Sequence, residues 1–502
     1  MLLSPSALSQ HALEPDYNEP LRPQVHFSPK KNWTNDPNGL VYFEGEYHLF
    51  YQYNPMGDMW GHMSWGHAVS HDLLHWQELP VAIPESGGEM IFTGSVVVDE
   101  NNTSGLCLDG KPCLVAIFTG HRGSGASQQE VQNIAVSQDR GRSWQLYSEN
   151  PVLDLKMANF RDPSVSWNRK ANAWIMAVAL PEEHQVAFYR SPDLKQWTRL
   201  SVFGPVGATG GAWECPDLLE VPNRTGNGSM WALKVGLNPG GVQGGSGEQY
   251  FLGTFDGVSF LPSQSSSLPR WTDYGKDSYC TISYNNLPKG KSPTLLGWMD
   301  NWQYAEKLPT SPWRGQMTLA RQISVVQDKA GLSLAQQPVI EPLRMKGEPL
   351  AASLASGQDA VSLHKVEAPE EMDLSFKPSN ASVFGVRLYS DEEHWVEIAF
   401  DRTSGILYTD RTKAGRETVE GFPAKTNAPV SEDRPWDLHL VLDRSSVEVF
   451  AQKGTIAMTN LLLPASRWTR IELFRRGGRG AVDVSGTAWP LSSGWSTPSD
   501  AH

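Results

Sequence analysis

Apolar and polar residues alternate in short stretches along most of the chain, and Gly, Pro, Asn and Asp interrupt them about every eight to twelve residues. This pattern predicts β-strands joined by turns, and long helical periodicity is absent. Residues 39–54, for example, predict a strand, a turn at Glu44 and Gly45, and a second strand. We therefore expect an all-β fold.

A repeated motif divides the first two-thirds of the chain. A Ser-x-Asp followed by an aromatic residue occurs in SHDLLHW (70–76), SQDRGRSW (137–144) and SPDLKQW (191–197), with a weaker copy, TFDGVSF, at 254–260. Self-similarity at this spacing is typical of propeller blades. We interpret the central acids as turn formers; they are Asp72, Asp139, Asp193 and Asp256. With a fifth unit expected over about 272–325, the motif predicts a five-bladed β-propeller.

The repeat is lost after about residue 345, and the remaining strand pairs, such as ASVFGVRLY and DLHLVLDRSSVEVFA, are typical of a β-sandwich. The length of 502 residues also favours two domains. We therefore predict a catalytic propeller over residues 20–335 and a sandwich over residues 345–495.

The charge and residue composition of the chain indicate which classes of binding partner to expect. The net charge of −13, from 42 basic and 55 acidic residues, argues against nucleic acid or an anionic membrane as a partner. No apolar run approaches the roughly 18 residues needed to span a bilayer. The 19 tryptophans suit sugar binding as well as a β-rich core. The oligomeric state is left open.

Cysteines and the chain start bear on the compartment. Four cysteines are too few and too scattered for a disulfide framework, and only Cys107 and Cys113 are close enough to suggest a local bridge. The first residues make a poor signal peptide, which slightly favours an intracellular location. Secretion stays open because N-x-S/T sequons occur at Asn32, Asn101, Asn102, Asn223, Asn227 and Asn380.

Three acids occupy similar places in the repeat. Asp36 in NDPNG, Asp162 in FRDP and Glu214 in WECPD each precede the Ser-x-Asp motif of their blade by 31 to 42 residues, immediately before the predicted first strand. The leading ends of first strands open on the central funnel of a propeller, so these acids should converge on one pocket. Clustered carboxylates repel, and one should keep its proton near neutral pH. A protonated acid beside an ionised one is what glycosidic cleavage needs.

The motifs NDPNG, FRDP and WECPDL, in this order, resemble those of glycoside hydrolase family 32, which includes invertases, inulinases and levanases. YHLFYQYNP, IFTGS and GWMDNWQYA support a resemblance that covers residues 20–490. It implies a five-bladed propeller followed by a β-sandwich. It also implies retaining hydrolysis of terminal β-D-fructofuranosyl units of sucrose and of inulin- or levan-type fructans, with no cofactor and no metal.

The resemblance also implies residue roles. Asp36 would be the nucleophile, Glu214 the acid/base and Asp162 the transition-state stabiliser, with Asp36 and Glu214 about 5–5.5 Å apart. Residues implied around the sugar are Asn35, Gln52, Trp60, Ser95, Arg161, Trp298 and Trp302. Arg161 could hold sugar hydroxyls, keep Asp162 ionised, or both. Thr34 replaces the usual Met beside the Asn-Asp pair and could alter the pocket wall.

Other interpretations remain open. His67, His71 and His75 are spaced for one helix face, with His62 nearby, but SWGHAV alternates like a strand, which disfavours a zinc site. A related five-bladed inverting glycosidase would hold its carboxyl groups farther apart. A carbohydrate-binding module without activity, or a fructosyltransferase making oligosaccharides from sucrose, would use the same pocket. An axial funnel favours exo over endo action.

Overall fold

The computed structural model describes residues 17–263, 269–329, 331–415, 419–478 and 480–495. These residues form 35 strands and three short 3₁₀ helices, Gly125–Ser127, Ala305–Lys307 and Glu341–Leu343. None of the helices in these five ranges is long and apolar enough to cross a membrane. The all-β prediction is confirmed.

The first 23 strands precede residue 339. In chain order they are β1 (Asn32–Phe43), β2 (Glu46–Asn54), β3 (Ser64–Ser70), β4 (Gln77–Ile83), β5 (Glu89–Asp99), β6 (Cys113–Arg122), β7 (Gln129–Ser137), β8 (Gln145–Leu146), β9 (Leu153–Met157), β10 (Arg161–Asn168), β11 (Ala173–Leu180), β12 (Gln185–Ser191), β13 (Thr198–Phe203), β14 (Ala212–Pro222), β15 (Ser229–Asn238), β16 (Gly247–Phe255), β17 (Phe260–Pro262), β18 (Arg270–Trp271), β19 (Tyr279–Ser283), β20 (Thr294–Trp298), β21 (Trp313–Arg314), β22 (Arg321–Asp328) and β23 (Gly331–Pro338).

These strands form five sheets whose neighbouring long strands are antiparallel. The sheets are β1 to β4 with β21 at one edge, β5 to β8 with β9, β10 to β13, β14 to β17 with β18, and β19-β20-β22-β23. Each sheet uses one contiguous stretch of chain, except that β21 leaves the fifth unit to pair in parallel with β1. The fifth unit therefore extends to Pro338, past the predicted 325, because β22 and β23 complete its sheet.

The five sheets close into a ring. The first strand of each contacts the first strand of the next, from β1 through β5, β10 and β14 to β19, and β19 contacts β1 again. Apolar side chains fill the spaces between blades, as where Phe188 and Trp213 of the third and fourth blades share one cluster. The five-bladed propeller is confirmed.

The Ser-x-Asp motif is the turn after the third strand of a blade. Ser70 ends β3, and the Asp72 carboxylate accepts hydrogen bonds from the backbone N–H groups of Leu74 and His75 at 3.0 and 2.9 Å. Asp193 accepts equivalent bonds from Lys195 and Gln196. The interpretation of these acids as turn formers is confirmed.

The C-terminal strands form two six-stranded sheets. They are β24 (Glu348–Leu354), β25 (Ala360–Lys365), β26 (Glu370–Pro378), β27 (Val383–Tyr389), β28 (Trp395–Asp401), β29 (Ile406–Lys413), β30 (Lys425–Pro429), β31 (Asp437–Leu442), β32 (Ser446–Ala451), β33 (Ile456–Leu461), β34 (Arg470–Arg476) and β35 (Val482–Pro490). The sheet orders are β24-β35-β26-β31-β32-β33 and β25-β34-β27-β28-β29-β30. Both contribute to one apolar core, as expected for a β-sandwich.

Buried charges join the two parts of the chain. Arg321 of the fifth blade pairs with Glu448 of β32 at 3.0 Å and with Asp273 at 2.8 Å. Arg411 of β29 pairs with Asp277. All these side chains are buried, and removing one partner of such a pair leaves an uncompensated charge, so the pairs between the two parts resist separation.

The suggested local bridge between Cys107 and Cys113 is present, but the expectation that the cysteines are too scattered for further pairing is wrong. Cys107 pairs with Cys113, and Cys215 pairs with Cys280 over a separation of 65 residues. Residues 215 and 280 are distant in sequence but lie in the first strands of neighbouring blades, which the ring brings together. A spacing argument along the chain cannot detect such a pair.

Candidate active site

Each of the five first strands carries a register shift near its start. The shifts fall between Thr34 and Pro37 in β1, Ile91 and Gly94 in β5, Arg161 and Ser164 in β10, Glu214 and Asp217 in β14, and Tyr279 and Ile282 in β19. Such bulges re-aim side chains and are frequent next to active sites. The three acids lie at these bulges. They are therefore inside the first strands, and the prediction that they precede them is wrong by a few residues.

The bulges of the first four blades line one cavity of about 280 Å³. Its wall consists of Asn35, Asp36, Gln52, Trp60, Phe92, Thr93, His121, Gln128, Glu130, Asn159, Arg161, Asp162, Glu214 and Trp302. The structure thus brings together three acids that are up to 178 residues apart in the chain (214 − 36).

Asp36 presents one bonded and one free oxygen. Thr93 donates its hydroxyl to Asp36 Oδ2 at 2.9 Å. Asp36 Oδ1 is buried and accepts no hydrogen bond from the described part of the chain. Burial and then the negative charge of Glu214 raise the pKa of Asp36 to about 7, against the opposing hydrogen bond from Thr93. A buried carboxylate oxygen without a donor is available to a reacting atom.

Asp162 is held at the cavity floor. Its Oδ2 accepts a hydrogen bond from the backbone N–H of Cys215 at 2.9 Å, and its own N–H donates to Thr119 Oγ1 at 3.0 Å. The residue is 5% exposed and has a φ of 66°. Burial raises the pKa of Asp162 well above its usual value, and the charges of Glu214 and Asp36 add to this against Arg161. These shifts agree with the prediction that the cluster retains a proton near neutral pH.

Glu214 receives donors on both oxygens. Arg161 donates to Oε1 from Nη2 at 2.9 Å and from Nε at 3.2 Å. The Tyr279 hydroxyl donates to Oε2. Burial raises the pKa of Tyr279 well above its usual value, so this phenol keeps its proton. The carboxyl group of Glu214 is thereby fixed from two neighbouring blades.

Arg161 connects several pocket groups. Besides Glu214, its guanidinium donates to Glu130 Oε2 at 3.2 Å and to Asn159 Oδ1 at 3.1 Å. Its positive charge also lowers the pKa of Asp162. The two predicted roles, binding sugar hydroxyls and keeping Asp162 ionised, thus both stay open, and a third, pairing with Glu214, is added.

Four of the other predicted binding residues line the cavity. Trp33 Nε1 donates to Asn35 Oδ1 at 2.8 Å, and the Asn35 side chain also hydrogen-bonds to Asp36. Gln52 Nε2 donates to the carbonyl of Ile91 at 3.0 Å. Trp60 is 40% exposed at the rim, and Trp302 forms part of the wall.

Two predicted binding residues lie outside the cavity wall. The Ser95 hydroxyl donates to the carbonyl of Pro163 and accepts from the N–H of Val165, both at 3.0 Å, so it joins the second and third blades. Trp298 is fully buried behind Trp302, with ring centroids 4.8 Å apart. Their side chains are used in packing between elements, and a binding role for them stays a prediction.

Thr34 does not itself line the cavity. The side chain is fully buried, and its hydroxyl donates to the carbonyl of Gln52 at 2.9 Å.

Several pocket residues are not predicted from the sequence. They are Phe92, Thr93, His121, Gln128, Glu130 and Asn159 in the wall, and Tyr279 behind Glu214. A signal existed for Thr93 and Tyr279, because both lie at the bulges of the second and fifth blades, which carry no acid there. Phe92 lies at the second-blade bulge as well, within IFTGS, whereas His121, Gln128, Glu130 and Asn159 lie outside the bulges.

The four histidines of the suspected zinc motif have separate neighbours. His67 lies 3.1 Å from His48, His71 lies 2.9 Å from the carbonyl of Gly45, and His75 pairs with Asp72 at 2.7 Å. His62 pairs with Glu85 at the surface. Residues 64–70 are a strand, so the helical spacing does not apply.

Comparisons with known proteins agree with this geometry. Residues 26–338 match the glycosyl hydrolases family 32 N-terminal domain, and residues 342–490 match the glycosyl hydrolases family 32 C-terminal domain. Levanase of Bacillus subtilis (strain 168) is 40% identical over 99% of this chain and 74% of its own length. Extracellular exo-inulinase of Aspergillus awamori is 38% identical over 96% of both chains.

The chain also superposes on solved structures of an exo-inulinase and a β-fructofuranosidase. The crystal structure of exo-inulinase from Aspergillus awamori superposes with a TM-score of 0.88 at 37% identity, covering 95% of this chain and all of that one. β-Fructofuranosidase from Schwanniomyces occidentalis, complexed with fructosyl-erythritol, superposes with a TM-score of 0.86 at 32% identity, covering 96% and 99%.

Proposed function

The chain belongs to glycoside hydrolase family 32 and is a glycoside hydrolase, and from this premise we propose an exo-acting, retaining β-fructofuranosidase. It removes terminal β-D-fructofuranosyl units from sucrose and from fructans of the inulin or levan type. The observation that carries the proposal is the meeting of Asp36, Asp162 and Glu214 at equivalent bulges around one small cavity.

Asp36 is the proposed nucleophile. Its free Oδ1 attacks the anomeric carbon of the fructosyl unit, while Glu214 protonates the leaving oxygen and the glycosidic bond breaks. The bond between Asp36 and fructose is then cleaved by water. Glu214 takes a proton from this water and returns to its starting state.

Asp162 stabilises the charge that develops on the sugar. It forms no covalent bond in this proposal, and its burial next to Arg161 suits a fixed acceptor for sugar hydroxyls. The Arg161 guanidinium donates to Glu214, and sugar hydroxyls entering the cavity compete for the same donors.

The size of the cavity supports attack at a chain end. At about 280 Å³ it is at the lower limit of ligand pockets, which begin at about 300 Å³. Trp60 stands exposed at the rim, where it can contact the next sugar unit. The relatives named levanase and exo-inulinase support fructans as substrates.

The domain division is part of the same proposal. Residues 20–335 carry every proposed catalytic group, and residues 345–495 form an accessory domain that packs through buried ion pairs.

Product analysis tests the proposal. Wild-type protein is incubated with sucrose, inulin and levan, beside Asp36→Ala and a turn control, Asp256→Ala. We expect monomeric fructose from the start with wild type and the control, and none with Asp36→Ala. Oligosaccharides from the outset would contradict exo action, kestose as the main early product from sucrose would indicate a transferase, and no release at all would refute a fructosidase.

Methanol distinguishes retention from inversion. With methanol present, attack on a fructosyl-enzyme gives methyl β-D-fructofuranoside, which NMR identifies. The α-anomer would refute retention. Transfer to sucrose should grow at high sucrose, because a sugar hydroxyl then competes with water.

A further inference from the structure

The Cys215–Cys280 disulfide lies at the floor of the candidate active site. It joins β14 and β19, the first strands of the fourth and fifth blades, at equivalent bulges and with a Cα–Cα distance of 5.3 Å. Cys215 is 2% exposed and Cys280 is fully buried. The bond therefore ties two neighbouring blades where their strands reach the cavity.

The two cysteines each follow a residue of the same hydrogen bond. Cys215 follows Glu214, and Cys280 follows Tyr279, whose hydroxyl donates to Glu214. The disulfide thus connects the strand that carries the carboxyl group with the strand that carries its donor.

A glycine in β15, the strand paired with β14, leaves space for the Tyr279 ring next to Glu214. Gly236 is the register partner of Glu214, and a Cβ there would lie 3.0 Å from the Tyr279 ring. The Tyr279 ring is therefore closely confined next to Glu214.

The disulfide also adjoins the other two acids. The backbone N–H of Cys215 donates to Asp162 Oδ2 at 2.9 Å. Both sulfur atoms and a carboxylate oxygen of Asp36 lie within 4.8 Å of one another. One covalent bond is thus in the immediate surroundings of all three acids.

The backbone at both cysteines needs external support. Cys215 and Cys280 each have a φ of 48°, in the left-handed region that residues other than glycine rarely adopt. Such conformations persist only where the surrounding structure enforces them. A covalent bond between the two bulges supplies that constraint.

We propose that the Cys215–Cys280 disulfide is a positioning element for Glu214, holding it against Tyr279 so that it can protonate the leaving group. This inference rests on the proposed role of Glu214 and adds a pair of residues that do not touch substrate. Reduction by a dithiol breaks the S–S bond, forms two thiols and oxidises the dithiol to its cyclic disulfide. The fourth and fifth blades then lose this covalent link, and Glu214 donates its proton to the leaving oxygen less effectively.

The test compares two leaving groups in Cys280→Ala, with the double variant Cys107→Ala/Cys113→Ala as the matched control. Sucrose needs its leaving oxygen protonated, whereas a nitrophenyl β-fructofuranoside has a leaving group that needs little protonation. In Cys280→Ala we expect kcat/KM for sucrose to fall about tenfold or more and kcat/KM for the nitrophenyl fructoside to change less than about twofold. The control variant should match wild type on both substrates.

A merely structural role would lower both values equally, and this would overturn the inference. It is also overturned if Cys280→Ala matches wild type on sucrose, or if mass spectrometry of purified wild type finds Cys215 and Cys280 as free thiols. If the variant does not fold, the Cys107→Ala/Cys113→Ala variant, whose remaining cysteines are Cys215 and Cys280, is reduced with dithiothreitol, both thiols are trapped and counted, and unchanged sucrose turnover refutes the inference. Failure of the proposed function itself is distinct, because wild type would then release no fructose.

Discussion

Replacing Asp36 by Asn should stabilise the protein against unfolding, and more so at alkaline than at acid pH. Asp36 is partly buried near Glu214, and burial together with the charge of Glu214 raises its pKa to about 7 from an ordinary value of 3.8. Between about pH 4 and pH 7 the folded protein therefore keeps a proton that the unfolded chain has released. A carboxyl group with a raised pKa gives stability that is present below its unfolded pKa and is lost as pH rises through the folded pKa.

The magnitude follows from the shift. About three pKa units at about 1.36 kcal/mol each give an upper limit of about 4 kcal/mol, and solvent reaching the open cavity reduces this to about 1–3 kcal/mol. The amide introduced by Asp36→Asn does not titrate, so the variant avoids this loss. Thermal unfolding midpoints of wild type and Asp36→Asn at about pH 4.5 and about pH 8 measure the difference.

A turn acid supplies the control. Although burial opposes it, hydrogen bonds from the backbone N–H groups of Gln196 and Lys195 lower the pKa of Asp193. Asp193→Asn should therefore lose stability relative to wild type as pH rises from the acid range. If the advantage of Asp36→Asn is equal at both pH values, or is larger at acid pH, the account of Asp36 is refuted.

Three further predictions concern activity. Thr93→Val removes the donor to Asp36 Oδ2, so the acid limb of the kcat/KM profile should move up by about one pH unit, and an unmoved limb would contradict this. Arg161→Lys loses the forked contact that Arg161 makes within the cavity, and kcat/KM for sucrose should fall about tenfold to a hundredfold in steady-state assays; full activity would show that the fork is dispensable. Gly236→Ala places a methyl group 3.0 Å from the Tyr279 ring and should lower kcat with little change in KM, whereas a rise in KM alone would place the effect on binding.

The propeller can be predicted from the sequence because the repeats contain a turn motif whose hydrogen bonds are local. In the Ser-x-Asp turns at Asp72 and Asp193 the Asp carboxylate accepts a hydrogen bond from a backbone N–H group two residues later. The motif therefore recurs in the sequence where the chain turns after the third strand of a blade. The three acids were found because they occupy equivalent repeat positions. The strand boundaries were missed, because the bulges at Asp36, Asp162 and Glu214 interrupt the alternation that marks a strand.

The rest of the site depends on contacts between blades. Tyr279 donates a hydrogen bond to Glu214, and Cys280 forms a disulfide with Cys215; the two residues of each pair are 65 positions apart in the sequence. Ser95 lies in the IFTGS motif, but that motif does not show that its hydroxyl bonds Pro163 and Val165 of the next blade. Such pairings are set by how blades pack, and no pattern within one blade predicts them.

Trapping the sugar on Asp36 tests the central claim most directly. Protein is quenched with acid during turnover of sucrose and digested with a protease. The mass of the peptide that contains Asp36 is then measured by mass spectrometry. We expect this peptide to carry one added fructosyl residue in wild type, and none in Asp36→Asn. A fructosyl group on another residue, or product formation by Asp36→Asn at the wild-type rate, would contradict the account.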